Sequence, residues 1–187
     1  MFSKKIILGS ASPRRKQLVE QLGFAVEIRK KEVDESYPAS IKQHDVPEYL
    51  SRMKAEPLKD AITEVEVLLT SDTVVIFNDE ILGKPENREE AIHMLQAMSG
   101  KMNEVVTGVY LFNPKFEKSF SVSTKVYFKP FTKEEVEYYV DTYKPFDKAG
   151  AYGIQEWIGM IGVRKIEGDF YNVMGLPVNR LWEELNQ

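Results

Sequence analysis

With 187 residues and 43% hydrophobic side chains, the chain can bury a sizeable core and suits one domain over 1–187, or two small lobes sharing a sheet. The absence of cysteine excludes disulfides, thiolate nucleophiles and cysteine zinc sites, and two lone histidines, His44 and His93, leave little for a histidine cage or a Ser-His-Asp relay. Any chemistry then rests on carboxylates, lysines, arginines and a hard metal ion, and a net charge of −4 argues against a general nucleic-acid coat while leaving room for small anions at a local basic site.

The first apolar run, Ile6-Ile7-Leu8, is far too short for a signal peptide or a membrane span, which leads us to expect a cytoplasmic protein with no membrane partner. It reads as a buried strand. Gly9-Ser10-Ala11-Ser12-Pro13-Arg14-Arg15 follows, with Ser12 as N-cap, Pro13 as the first helical residue and Gly23 just past the helix end. Arg14 and Arg15 put two cations where the helix already presents unpaired N–H groups, each unfavourable by about 0.3–1 kcal/mol until an anion binds. Removing either is therefore expected to leave the ligand-free protein no less stable. Backbone donors, the Ser10 and Ser12 hydroxyls and two guanidinium forks describe a phosphate-binding corner. A capped surface helix with two solvated arginines fits the local spacing equally well. No GxxxxGK[ST] loop is present, so the corner is not a Walker site.

Phe24 to Arg29 alternates and reads as a half-buried strand, followed by a charged loop from Lys30 to Pro38. Most acidic loops are simply solvated, but a carboxylate here that lay over the Ser12 corner would hold magnesium against a phosphate. Asp45 to Ile62 reads as a helix that Pro57 kinks or breaks, with Lys54 either a surface charge or a phosphate contact. Val65–Leu69 and Val74–Phe77 are one long strand or two pieces around Thr70-Ser71-Asp72-Thr73. Asp72, interrupting an apolar stretch, either needs partners in a cleft or caps a local turn.

Asn78-Asp79-Glu80 reads as a tight hairpin returning through Ile81-Leu82 to Gly83-Lys84-Pro85, where Pro85 keeps Lys84 extended. Asn87 to Ser99 reads as a helix with Met94 and Met98 in the core and His93 on the surface. Val105–Phe112 and Phe120–Phe131 form an antiparallel hairpin, which makes the sheet mixed. Thr132 caps a helix from Lys133 to Thr142, with Val136, Tyr139, Val140 and Tyr143 on one apolar face. In Lys144 to Gln155, small residues alternate with Asp147, Lys148 and Gln155, as in a backbone that approaches a ligand closely or in an ordinary turn. A strand over Ile161–Ile166, the stretch Gly168–Pro177 and a last helix over Val178–Leu185 complete the chain.

Four stretches together resemble the Maf family of nucleoside-triphosphate pyrophosphatases. They are Ser10-Ala11-Ser12-Pro13-Arg14-Arg15, Ser71-Asp72-Thr73-Val74-Val75 with Gly83-Lys84-Pro85, Asp147 to Gln155, and Asn172-Val173-Met174-Gly175-Leu176-Pro177. The resemblance implies an α/β fold with a mixed, elongated sheet flanked by helices, and two lobes around a central cleft as in ITPase-like proteins. It implies Asp72 as general base, Arg14, Thr73 and Gln155 as substrate-discriminating residues, and Ser10, Ser12, Arg15, Glu35, Lys54, Lys84, Asp147 and Lys148 along the site. Asp72 and Glu35 would hold a magnesium or manganese ion. The Thr73 and Gln155 pair is similar to the branch acting on dTTP and UTP, working as a homodimer. A nucleotide-binding regulator of septum formation that needs no catalysis is the alternative. Gly9, Ser71 and Asn103 depart from the family's common Ala, Ala and His; the first two should be tolerated in a strand-end loop, and Asn103 leaves the need for a rim histidine open.

Overall fold

The apolar triplets of the sequence become the parallel end of the sheet. In the computed structural model, which describes residues 4–186, β1 (Lys5–Leu8) runs parallel to β2 (Val26–Ile28) and to β3 (Glu66–Phe77), with Ile6 opposite both Val26 and Val67. Ile6, Ile7, Leu8, Val67, Leu68 and Leu69 are fully buried, since a parallel strand covered on both faces offers no polar side. The strand expected from Phe24 shrinks to three residues. β3 is one twelve-residue strand, not two pieces. Asn78 and Asp79, with φ of 50° and 59°, turn it into β4 (Glu80–Leu82). Glu80, expected in the turn, pairs with Phe77 instead, because two residues that tolerate positive φ suffice for a hairpin.

β5 (Met102–Asn113) and β6 (Phe116–Phe128) are joined by Pro114 and Lys115, and β7 (Val163–Glu167) pairs antiparallel with β6. The sheet order is β2-β1-β3-β5-β6-β7, with β4 beside β3. β6 ends before the expected Phe131 because Pro130 has no N–H. On either side of it, Lys129 donates to Gly162 O at 2.8 Å and Phe131 to Ser99 Oγ at 2.7 Å.

The helices are α1 (Pro13–Gln21), α2 (Val46–Ala55), α3 (Arg88–Met98), α4 (Lys133–Tyr143), α5 (Trp157–Gly162), α6 (Phe170–Val173) and α7 (Val178–Leu185). The helix expected over 45–62 is divided. α2 stops at Ala55, and a 3₁₀ turn over Glu56–Ala61 contains Pro57. Asn87 caps α3, and Thr132 with Glu135 forms a reciprocal capping box on α4. α5 is absent from the sequence reading, and it claims Ile161 and Gly162 from the strand expected there. Its two glycines and β-prone isoleucines mask a helical pattern only six residues long.

The chain divides into two compact units, with dividing points inside β3, β5 and β6 and a fourth between α6 and α7. The first comprises residues up to Asp72, Thr107–Val122 and the chain from Gly175 on, and has Ile7, Ala55, Leu58, Ile62, Leu68 and Tyr110 in one buried cluster. The second comprises Thr73–Val106 and Ser123–Met174. Its core joins α3, α4 and α5 through residues such as Leu95, Met98, Val136, Tyr139 and Ile158.

Candidate active site

In the first unit, Gly9 N–H donates to Leu69 O at 2.9 Å and ends β1. A Cβ at Gly9 would lie 2.5 Å from Thr70 Cγ2, so the departure from the family's alanine matches the threonine on β3. Ser10 Oγ accepts from Ser12 N–H at 3.2 Å and from Arg15 Nη1 at 3.3 Å, and Ser12 Oγ caps α1 by accepting from Arg15 N–H at 3.4 Å. Both hydroxyl protons remain available to donate to an anion. Arg15 is not a solvated fork. Nη1 donates to Ser71 O at 2.8 Å and Nε to Gly175 O at 2.9 Å. Its pKa falls below the ordinary arginine value, chiefly because the guanidinium is desolvated, while the negative charge of Asp72 opposes the fall and that of Arg14 adds to it. Arg15 is thus a cation used to fix two backbone carbonyls. Arg14, its neighbour on the first turn, is half-buried.

Asp72 and Thr70 share a face of β3, and Ser51 and Lys54 share a face of α2. Thr70 Oγ1 donates to Ser51 O at 2.6 Å, and Lys54 Nζ donates to Asp72 Oδ1 at 2.5 Å. Lys54 also lies 3.3 Å from Glu35 Oε1. The Lys54 and Asp72 side chains are only 16% and 14% exposed, so this pair is desolvated where most surface pairs are not. Asp72 Oδ2 makes no hydrogen bond among the described residues. Within the acidic loop, Asp34 accepts from Ser36 N–H and Oγ as a local turn, leaving Glu35 as the residue that reaches the cluster. Ser71 lies inside β3 and is buried, not in the expected strand-end loop, and its Oγ has no hydrogen-bond partner among the described residues.

In the second unit, Lys84 is exposed just beyond β4, and Thr73 and Gln155 are half-buried. Gly150 N–H donates to Gly83 O at 3.0 Å, tying the loop that carries Lys148 to the loop that carries Lys84. Gly150 has φ 67°, which favours a residue without a side chain. Lys148 is only 8% exposed, with Nζ 2.8 Å from Asp147 Oδ1 and 3.1 Å from Glu156 Oε1. Glu156 Oε2 accepts from the Tyr139 hydroxyl, whose oxygen accepts from Gly153 N–H at 3.0 Å. The side-chain amide of Gln155 makes no hydrogen bond among the described residues. Sequence reasoning missed Glu156, which adjoins Gln155, and treated Tyr139 as core alone. Asn103 is no rim residue. It is buried, and its Oδ1 accepts from Tyr152 OH at 2.8 Å.

A seven-stranded mixed sheet with flanking helices places the chain in the α/β class also seen in the solved Staphylococcus aureus Ham1 protein. That structure matches over 98% of both chains with a TM-score of 0.53 and 15% identity, a likeness of fold alone. The Maf-like protein model matches residues 5–187, and the chain belongs to that family. A relative from Bacteroides thetaiotaomicron is 50% identical over 98% of this chain and 95% of its own. Relatives from Parabacteroides distasonis (50% identity, 97% and 94% covered) and Cytophaga hutchinsonii (47%, 100% and 85%) are similar throughout. Each of the three is named a dTTP/UTP pyrophosphatase.

Proposed function

We infer that this chain hydrolyses dTTP and UTP between the α- and β-phosphates, giving the nucleoside monophosphate and pyrophosphate and so clearing the nucleotide pool. The names of relatives at about 50% identity across nearly the whole chain support the substrate class. The observation that carries the mechanism is Asp72, a desolvated carboxylate with Oδ1 capped by Lys54 and Oδ2 open. Oδ2 takes a proton from water while the water oxygen bonds to the α-phosphorus. The bridging P–O bond then breaks, and pyrophosphate leaves with the electron pair.

Arg14, Lys54, Lys84 and Lys148 neutralise the triphosphate, and Ser10 and Ser12 donate their hydroxyl protons to it, beside Asp147 on the Lys148 loop. Arg15 holds the corner in shape, as its two carbonyl contacts suggest. Asp72 and Glu35 fit a divalent cation, since they already converge on one positive centre, the Lys54 ammonium. Among the described residues no group of three or more His, Asp or Glu forms a closed cage, which suits an ion completed by phosphate oxygens and water. Magnesium or manganese held there supplies charge neutralisation.

Thymine and uracil present an acceptor-donor-acceptor edge that an amide can pair with, and Gln155 offers an amide uncommitted among the described residues, with Thr73 next to Asp72 as its companion. We extend the proposal to a cytoplasmic homodimer without nucleic-acid partners. Among the described residues no helix is long and apolar enough to cross a membrane.

The test is pyrophosphate release from a panel of nucleoside triphosphates. The expected order is dTTP and UTP, then CTP, then purines, and Gln155→Leu erodes that order more than it weakens triphosphate binding. Asp72→Asn lowers turnover by about 10²–10⁴ while nucleotide binding survives. Near-parental turnover in Asp72→Asn removes Asp72 from the mechanism, and equal rates on dTTP and GTP show that the base is read elsewhere.

A further inference from the structure

Lys148 is almost wholly removed from solvent, and a desolvated ammonium must be held by counter-charges. Its two carboxylates are unequal. Asp147 is the adjacent residue on the same loop with a 62% exposed side chain, whereas the Glu156 side chain is 20% exposed and anchored on its far oxygen by Tyr139. Tyr139 is fully buried in the α4 core, and its pKa is pushed above the ordinary phenol range, first by burial and then by the Glu156 carboxylate. The phenol therefore keeps its proton at neutral pH and donates it to Glu156, while its oxygen receives Gly153 N–H. A rigid line runs from the helix core through phenol and carboxylate to the ammonium, with the backbone two residues before Gln155 attached to it.

An ammonium has three donors. Asp147 Oδ1 takes one at 2.8 Å, and the Glu156 carboxylate, paired with the ammonium at 3.1 Å, fixes from a second side where the remaining donors point. Without Glu156 the lysine stem would turn about its one remaining partner.

We propose that Glu156 is a positioning residue, which aims a free donor of Lys148 at the triphosphate. The proposal rests on the assignment of Lys148 to the substrate under the function above. No ligand role is given to Glu156 itself.

The experiment is a double-variant cycle read as kcat/KM for dTTP in parent, Glu156→Gln, Lys148→Met and the double variant. Glu156→Gln should lose about ten- to hundredfold, the scale of one charge-assisted hydrogen bond. Lys148→Met should lose at least as much, and the double variant no more than Lys148→Met alone. A merely structural Glu156 would instead multiply its loss onto that of Lys148→Met. Tyr139→Phe deletes one oxygen and keeps the ring in the core, so it covers the case in which Glu156→Gln fails to fold. Its smaller loss should likewise vanish in the Lys148→Met background. Multiplied losses in the double variants, or parental kcat/KM in Glu156→Gln, overturn the proposal. Parental kcat/KM in Lys148→Met overturns it too, by removing the group through which Glu156 acts. The parent's own pyrophosphate release from dTTP tests the functional reading, so the two ideas fail separately.

Discussion

Arg14 and Arg15 are neighbours on one helical turn, yet their side chains have different work. Arg15 donates to Ser71 O, Gly175 O and Ser10 Oγ, so truncating it leaves two carbonyls without their charged donor. Losing hydrogen bonds from a charged group costs about 1.5–3 kcal/mol. Arg15→Ala is therefore expected to lower the stability of the ligand-free protein by about 2–3 kcal/mol, read as a shift in urea midpoint. This reverses the expectation from dipole charge alone, which treats both cations as a burden awaiting an anion. Arg14→Ala should weaken dTTP binding, measured by titration calorimetry. Equal midpoints for parent and Arg15→Ala would show that the two carbonyls find water at no cost.

At the scale of elements, α2 is the support on which Lys54 depends, and it lies directly on β5. A Cβ at Gly108 would come within 2.1 Å of Glu48 N and 2.3 Å of Pro47 C, so the strand and the start of the helix touch backbone to backbone. Backbone cannot swing aside as a side chain can. Gly108→Ala should therefore destabilise by about 1–3 kcal/mol or more. It should also reduce dTTP turnover, because the shifted helix carries Lys54 away from Asp72. An unchanged melting temperature would mean that α2 slides freely. Local signals made much of this architecture legible. The Ser12-Pro13 start of α1, the Thr132 capping box and the span of α7 follow from residues a few positions apart. Contacts made across the chain left no such trace. The carbonyl partners of Arg15 lie 56 and 160 residues away, and the carboxylate that meets Tyr139 lies 17 residues on. Helical spacing correctly put Tyr139 in the core but is blind to a hydroxyl at the tip of a buried ring. α5 was missed for the opposite reason, being too short for any period to emerge.

Across the whole molecule, stability is tied to carboxylates held below their ordinary range in both units. In the first unit, hydrogen bonds from Arg29 and then Lys5 bring Glu27 to about 2. The Thr63 backbone N–H, followed by Arg29 and the Thr63 hydroxyl, lowers Glu66, which is buried at the start of β3. In the second unit, Lys129 lowers Glu135 and Arg88 lowers Asp141. Each group binds a proton less readily folded than unfolded, so its contribution is complete above the unfolded value near 4–4.5 and disappears as pH falls through the lower folded value. Protonation also leaves the 25 Lys and Arg uncompensated, which adds self-repulsion to the loss. The melting temperature should thus be nearly flat from pH 7 to about 5 and fall steeply towards pH 3. Glu66→Gln isolates one contributor, because it keeps the shape and removes the charge that Thr63 N–H and Oγ1, each at 3.0 Å, and Arg29 Nη2, at 2.7 Å, all address. Its melting temperature should lie below the parent's at pH 7 and decline less on acidification, so that the two curves converge towards pH 3. Parallel curves would show that Glu66 titrates alike in the folded and unfolded chains and that its buried ion pair adds nothing to acid sensitivity.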